Sequence, residues 1–158
     1  MPSVWQRLNI VAKGEVMATL VVSNQSLDQM EERSGRARAE SDQALRRAAH
    51  LLPDDRVLVE MVLQHRMSLR QVATVLRQTP GTISRRLRRI TNRMTDPIVE
   101  ALLDPEHRLA PDYRRLGLAY FLQGQSIPTI ARTHDLPVDE VKQIITFLRV
   151  WHRGMSAR

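Results

Sequence analysis

Eight arginines lie between Met61 and Thr95, in a window that contains no Asp, Glu or Lys. The window carries a charge of +8, which exceeds the net charge of +7 of the whole 158-residue chain. Guanidinium groups donate paired hydrogen bonds to phosphate oxygens and to the edge of guanine. A cluster of them without acids predicts an anionic partner, nucleic acid above all. The eight are Arg66, Arg70, Arg77, Arg85, Arg86, Arg88, Arg89 and Arg93.

Two short helices joined by a tight turn are predicted to position these arginines. Ser68 and Thr79 can accept hydrogen bonds from the first backbone amides of the helices that follow them, and Pro80 fits a first helical position. In the second helix, apolar residues recur at spacings of four, three and four, which predicts one buried face. That face consists of Ile83, Leu87, Ile90 and Met94, and the residues predicted to point away from it are Ser84, Arg85, Arg88 and Arg89.

The pattern predicts a helix-turn-helix that presents the start of its second helix to DNA. The amides and positive dipole end of a helix N-terminus suit phosphate, and the outward arginines suit phosphate or guanine. The competing interpretation is a solvated surface whose arginine content follows from codon usage in a GC-rich genome. The predicted DNA-binding residues are Arg70, Gln71, Thr79, Pro80, Gly81, Thr82, Ser84, Arg85, Arg86, Arg88, Arg89 and Arg93.

Two further helices are predicted before Ser68. Ser41 or Asp42 can cap a helix that must stop near Pro53, because the residue before proline avoids the helical region. Pro53 then begins the next helix, with two acids in the first turn where the helix dipole favours them. Those acids are Asp54 and Asp55, and the predicted buried face of this helix is Val57, Leu58, Met61 and Val62.

Residues 44–94 resemble region four of bacterial sigma factors, on the strength of Leu52-Pro53, Arg56, Ser68, Ala73, Leu76 and the run "GTISRRLRRI". The resemblance implies a module that reads promoter DNA and docks on the flap of RNA polymerase. It also implies a groove-facing start of the recognition helix at Thr79, Pro80, Gly81, Thr82, Ser84 and Arg85, with Arg88 and Arg89 towards the DNA backbone.

The chain departs from that family in two places. Arg77 stands where the family usually has glycine in the turn, so a differently shaped turn is one expectation. Nothing in residues 1–40 resembles the region that melts start-site DNA, which argues against a complete sigma factor.

The second half of the chain repeats the first when the sequence is shifted by 58 positions without a gap. Seven identities fall within the forty pairs that begin at Leu51 and end at Ile90, which predicts two related helical units. Asp96-Pro97 is expected to start a short helix between them, and Asp104-Pro105 to end it. The identical residues are Leu51, Pro53, Asp54, Arg56, Leu58, Ser68 and Ala73, which match Leu109, Pro111, Asp112, Arg114, Leu116, Ser126 and Ala131.

The second unit lacks the charge of the first and is richer in aromatic residues. Residues 135–149 carry a net charge of −1, so independent DNA binding by this unit is disfavoured. Phe121 and Phe147 are predicted to be core residues. Tyr113 and Trp151 are candidates for a partner-binding face, for a second copy or for polymerase. The chain is expected to fray after Gly154.

Residues 1–40 form an N-terminal extension that the sequence defines least. Residues 5–22 could form an interrupted helix or two short strands, and Met17 could be the natural start of the chain. A helix is predicted from Leu27 to about Arg33. The basic residues that follow belong to a solvated helix or linker, or to an arm along DNA; they are Arg33, Arg36 and Arg38.

Several classes of function are disfavoured by composition. The chain has no cysteine, and its five histidines lack metal-ligand spacing, so no metal, cofactor or catalytic site is expected. No apolar run reaches the roughly 20 residues that span a bilayer, so no membrane partner is expected. The expected location is the cytoplasm, in association with the nucleoid.

The sequence therefore predicts an all-α protein of two tandem three-to-four-helix helix-turn-helix units, at residues 41–95 and 96–158, after the extension. The predicted function is sequence-specific binding of double-stranded DNA in transcription regulation, by a bacterial or mobile-element protein, without enzyme activity. Because one such unit offers little interface, useful specificity is expected to need either a homodimer or a second contact with the DNA. The alternatives are an adaptor that docks on RNA polymerase or a sigma partner, and the DNA-binding component of a recombination or plasmid-maintenance system.

Overall fold

The computed structural model describes residues 39–156, and every regular element in that range is helical. The expectation of an all-α fold is confirmed for this range. The predictions for residues 1–38 lie outside the described residues; they include the helix from Leu27, the basic arm and the start at Met17. The chain divides into two compact units, of which one ends at Thr91 and the other begins at Asn92.

The first unit is built from four helices in its described part. α1 covers residues 39–48, and α2 (Pro53–Leu63) begins with proline at its first position, as predicted. α3 (Leu69–Leu76) starts at a reciprocal capping box, in which the Ser68 hydroxyl accepts from the Gln71 amide and the Gln71 side chain accepts from the Ser68 amide. α4 (Pro80–Met94) follows after three residues.

The second unit contains the remaining described helices. α5 (Pro97–Leu103) is capped by Asp96, whose Oδ1 accepts from the Ile98 amide at 3.0 Å, as the sequence predicted. α6 (Pro111–Gly117) runs directly into a π-helical segment at Leu118–Leu122. α7 (Ile127–Thr133) and α8 (Val138–Ser156) complete the unit. α8 packs against α5, α6 and α7.

The three helices α6, α7 and α8 begin 58 residues after α2, α3 and α4, respectively. The connections repeat with the same offset. After the first helix of each set, Met67 N–H donates to Met61 O and Gln125 N–H donates to Ala119 O, at 3.1 and 3.0 Å. After the second helix of each set, a backbone hydrogen bond of 2.9 Å closes the helix end. Gln78 N–H donates to Ala73 O, and Leu136 N–H donates to Ala131 O.

Four residues with positive φ mark the same correspondence. Arg66 and Gly124 lie 58 residues apart, and so do Arg77 and Asp135. Arg77 has φ 51° and ψ 43°, which is the left-handed conformation that glycine adopts most easily. The turn between α3 and α4 therefore keeps left-handed geometry without glycine, and the expectation of a different turn is wrong.

Each unit has its own apolar core. The predicted stripe on α4 is fully buried: Ile83, Leu87 and Ile90 in the first unit and Met94 in the second are all at 0% exposure. On α3, Val72 and Ala73 are buried, while Leu69 and Leu76 are half-buried. The largest buried side chains of the second unit are Leu102, Leu116, Leu122, Ile130, Ile145 and Leu148.

Three local predictions are wrong. Ser41 and Asp42 lie inside α1, since the preceding Ala39 and Glu40 are good helix formers and are helical themselves. α2 buries Val59, whereas Val57 is 43% exposed, because the inward face runs through positions 55, 58, 59 and 62. α8 continues through Gly154 to Ser156, so the chain does not fray at that glycine.

Candidate nucleic-acid interface

The start of α4 is an exposed helix N-terminus. Thr79 caps it, since its Oγ1 accepts from the Thr82 amide at 3.2 Å and lies 2.9 Å from the Thr82 hydroxyl. Pro80 has no amide hydrogen, and the Gly81 amide has no hydrogen-bond partner among the described residues. All four of these residues are exposed. This end of α4 can therefore offer a backbone donor and the positive end of the helix dipole to an anion.

Three arginines project from the solvent side of α4. Arg85, Arg88 and Arg89 are exposed, whereas the opposite side of the helix forms the core. Within residues 39–156, no carboxylate pairs with any of the three. Ser84, predicted to point outwards with them, is half-buried. The side chains of α4 thus present three uncompensated positive charges within about two helical turns.

α3 contributes two predicted residues beside α4. Arg70 is exposed and makes no ion pair with a described residue. Gln71 is exposed too, but its Oε1 accepts from the Ser68 amide at 2.8 Å, which fixes the side chain while its amide hydrogens stay available to a ligand. Gln71 is therefore held by the capping box, while Arg70 is free to rotate towards a phosphate.

Arg86 differs from its neighbours on α4. Its Nε donates to Oδ1 of Asp55 on α2 at 2.8 Å, and the two side chains are 26% and 12% exposed. The sequence grouped Arg86 with the DNA-binding residues and assigned Asp55 only to the dipole of α2. The signal it offered was spacing, because Asp55 lies one turn before Leu58 on the buried face of α2. The ion pair gives Arg86 a positioning role in which it ties α4 to α2.

Arg93, the last arginine of α4, is also engaged within the fold. Its Nη1 donates to the backbone carbonyl of Gln123 at 2.6 Å, in the second unit to which both residues belong. Gly124, next in the chain, has φ 69°, and a Cβ there would meet the Arg93 guanidinium. The Arg93 side chain therefore contacts the end of the π-helical segment. Unlike Arg85, Arg88 and Arg89, it is hydrogen-bonded within the fold.

The equivalent surface of the second unit carries other chemistry. At the positions that match Gly81, Thr82 and Arg85, α8 has Asp139, Glu140 and Gln143, and all three are exposed. Asp139 pairs with Lys142 at 2.9 Å, with both side chains largely in solvent. Exposed carboxylates at the start of a helix repel phosphate, so this surface does not repeat the cationic surface of α4.

The aromatic residues of the second unit form pairs. Tyr113 packs edge-on against Phe147, with ring centroids 5.3 Å apart, and Trp151 packs edge-on against His107 at 5.6 Å. Both candidate partner-binding residues, Tyr113 and Trp151, are half-buried in these pairs. Phe147 is 47% exposed, so the prediction that it belongs to the core is wrong. The face of α8 towards the core is already filled by Val141, Ile144, Ile145 and Leu148.

Metal-binding and membrane-spanning features are absent from the described range. Among residues 39–156, no group of three or more His, Asp or Glu side chains could hold a metal ion. No helix in that range is both long and apolar enough to cross a bilayer.

Comparison with known proteins finds no matching family model, no similar curated protein and no similar solved structure.

Proposed function

We propose that this protein binds double-stranded DNA sequence-specifically through its first unit and regulates transcription in a bacterium or a mobile element. In this proposal it is a non-catalytic protein of the cytoplasm and nucleoid. The observation that carries the proposal is the set of exposed arginines on α4 that have no carboxylate partner among the described residues, Arg85, Arg88 and Arg89. Three such charges beside an open helix N-terminus match the chemistry of a phosphate backbone.

The helices α3 and α4 would act as a helix-turn-helix, with α4 in the major groove. Arg85 and the exposed start of α4 would meet base edges, where arginine forks onto guanine. Arg88, Arg89 and Arg70 would contact phosphates and supply most of the affinity, which is salt-dependent for that reason. Arg86 and Arg93 would hold α4 in position, because their guanidinium groups are bonded within the fold.

The repeat supports a tandem arrangement of two helix-turn-helix units with divergent surfaces. The helix starts and the left-handed residues recur at an offset of 58, while the charge on the last helix of each set does not. The exposed arginines Arg85, Arg88 and Arg89 have no arginine at the matching positions of α8, which are Gln143, Thr146 and Phe147. A shared scaffold with this cluster on one helix only argues that the cluster serves a ligand and is not needed for the fold.

Binding to labelled duplex DNA as a function of salt tests the proposal. We expect the affinity to fall steeply with salt, by about 0.9 logarithmic units per tenfold salt for each neutralised phosphate. The double variant Arg85→Ala, Arg88→Ala should lose binding. The matched control is Gln143→Ala, Thr146→Ala, which changes the equivalent positions of α8 and should bind as the unmodified chain does.

Equal binding by the two double variants would contradict the proposal. Capture of RNA polymerase without DNA affinity would replace it by the adaptor function. Selection of bound sequences from a random duplex pool then tests specificity. A recovered site that matches a recombination or plasmid-partition sequence rather than a promoter would assign the protein to DNA maintenance.

A further inference from the structure

The C-terminal half of α8 exposes large apolar side chains on the side away from the core. Phe147 is 47% exposed and Val150 is 62% exposed. The opposite side of the helix is the core face, where Val141 and Leu148 are at 0% exposure. α8 thus has apolar residues on two sides. One side forms the core, and the other is covered only in part by the described residues, where the Tyr113 ring packs on Phe147.

The exposed apolar residues belong to a regular stripe. Glu140, Gln143, Phe147, Val150 and Gly154 recur at spacings of three, four, three and four, which places them on one face of the helix. All five are exposed. Alternating spacings of three and four form the seam along which two helices pair. At Gly154, a Cβ would meet no atom within 4 Å, so another backbone can approach this end closely.

Charge is distributed unevenly along the same helix. Its first turn has two acids, Asp139 and Glu140, and Asp139 is paired with Lys142. Residues 143–156 contain no acid and include Arg149 and Arg153. Arg149 is already bonded to the Tyr120 hydroxyl at 3.0 Å. Arg153 is exposed and has no partner among the described residues. Two copies of such a helix attract each other when antiparallel and repel when parallel.

We propose that a second copy of this chain covers this stripe, with the two α8 helices antiparallel about a two-fold axis between Phe147 and Val150. In this register, Phe147 packs on the partner subunit's Val150, and Gln143 packs on the partner subunit's Gly154. Arg153 then lies within about one helical turn of the partner subunit's Glu140. Both copies contribute the same stripe of α8 to the contact, as a two-fold dimer requires.

The chemistry of the stripe disfavours other occupants. An anionic membrane surface or DNA would meet the Glu140 carboxylate at one end of the stripe and be repelled there. The inference concerns the second unit alone, so its outcome is independent of DNA binding by α4.

Disulfide trapping tests the register, because the chain has no cysteine of its own. In the proposed dimer, a cysteine introduced by Gln143→Cys in one copy lies next to a cysteine introduced by Gly154→Cys in the other copy. In a homodimer of either variant, the two cysteines are about 16 Å apart along the helix, beyond the reach of a disulfide. Oxidation of an equal mixture of the two full-length variants should therefore give a cross-linked heterodimer, and oxidation of either variant alone should not. Cross-linking of the Gln143→Cys variant to itself would indicate a parallel pair and would overturn the proposal.

Charge-reversal variants provide a second test. Sedimentation of the full chain over a range of concentrations measures the self-association of each variant. Glu140→Arg and Arg153→Glu should each weaken self-association about tenfold or more, and the double reversal should restore it. Val150→Glu should abolish it, while the matched control Val75→Glu, at a 55% exposed valine on α3, should not.

A monomer at all concentrations, or equal effects of the two valine variants, would refute the dimer. So would binding of the monomeric chain to vesicles of anionic lipid that depends on Val150, since that outcome assigns the stripe to a lipid surface.

Discussion

Nε of Arg86 lies 2.8 Å from Oδ1 of Asp55, so an ion pair joins α4 to α2 across 31 positions of the sequence. Asp55 sits in the first turn of α2, where the helix dipole also stabilises its charge. The arginines of α4 thus fall into two groups. Arg86 and Arg93 are bonded within the fold, whereas Arg85, Arg88 and Arg89 face solvent without a carboxylate partner among the described residues.

The Asp55–Arg86 pair is expected to stabilise the first unit. Arg86→Met removes this ion pair from a largely buried carboxylate, which should lower the free energy of unfolding by about 2 kcal/mol. Asp55→Ala together with Arg86→Met should cost less than the sum of the two single changes. Urea denaturation of the three variants measures the coupling, and strictly additive losses would show that the pair contributes nothing. Arg88→Ala serves as the control, with a change within about 0.5 kcal/mol.

The salt dependence of DNA binding is expected to distinguish the two kinds of arginine. Arg88→Ala should reduce the slope of log affinity against log salt by about 1, because one phosphate contact is lost. Arg93→Met should leave the slope unchanged, since its guanidinium donates to the Gln123 carbonyl. Fluorescence anisotropy at several salt concentrations gives the slopes. An equal loss of slope in both variants would contradict the division between free and bonded arginines.

Glycine at position 77 is expected to stabilise the first unit, because Arg77 has a left-handed backbone conformation. A side chain in this conformation costs about 1–2 kcal/mol, and glycine avoids that cost while adding about 0.5–1 kcal/mol of chain entropy. Arg77→Gly should therefore raise the free energy of unfolding by about 0.5 kcal/mol, as measured by thermal or urea denaturation. Val75→Gly, in the exposed part of α3, is the comparison and should lower it by about 1 kcal/mol. A loss of stability at both positions would show that Arg77 is not strained.

Gly124 is expected to be intolerant of substitution. Its φ of 69° disfavours a side chain, and a Cβ would displace the Arg93 guanidinium from the Gln123 carbonyl. Gly124→Ala should lower the free energy of unfolding by about 2 kcal/mol. At Gly81 a Cβ meets no atom within 4 Å, so Gly81→Ala should change stability by no more than about 0.5 kcal/mol. Near-equal stabilities of the two variants would rule out the steric argument.

The helix starts could be predicted from local sequence because the signals are local. Pro53, Ser68 and Thr79 each act on a backbone amide or dihedral angle within three residues of themselves, and all three act as the sequence indicated. The core face of α4 could be predicted as well, because a 15-residue helix with regular apolar spacing allows only one buried side.

Features that depend on distant contacts were not visible in the sequence. Asp55 and Arg86, like Arg93 and Gln123, become partners only when segments about 30 residues apart pack together. The buried face of α2 was assigned to Val57 rather than Val59, because several apolar residues in a row leave the helical phase undetermined. Phe147 was taken for a core residue from its size alone, although the core face of α8 was complete without it.

The π-helical segment explains how the two halves differ without a change in spacing. α2 has 11 residues, and five residues separate it from α3. α6 and the π-helical segment together span residues 111–122, and only four residues separate them from α7. The π-helical turn thus adds one helical residue to the second half, and the loop before α7 is one residue shorter than the loop before α3. Such a balanced exchange lets the two halves of a repeat differ in one connection while the helices that follow keep the same offset of 58 residues.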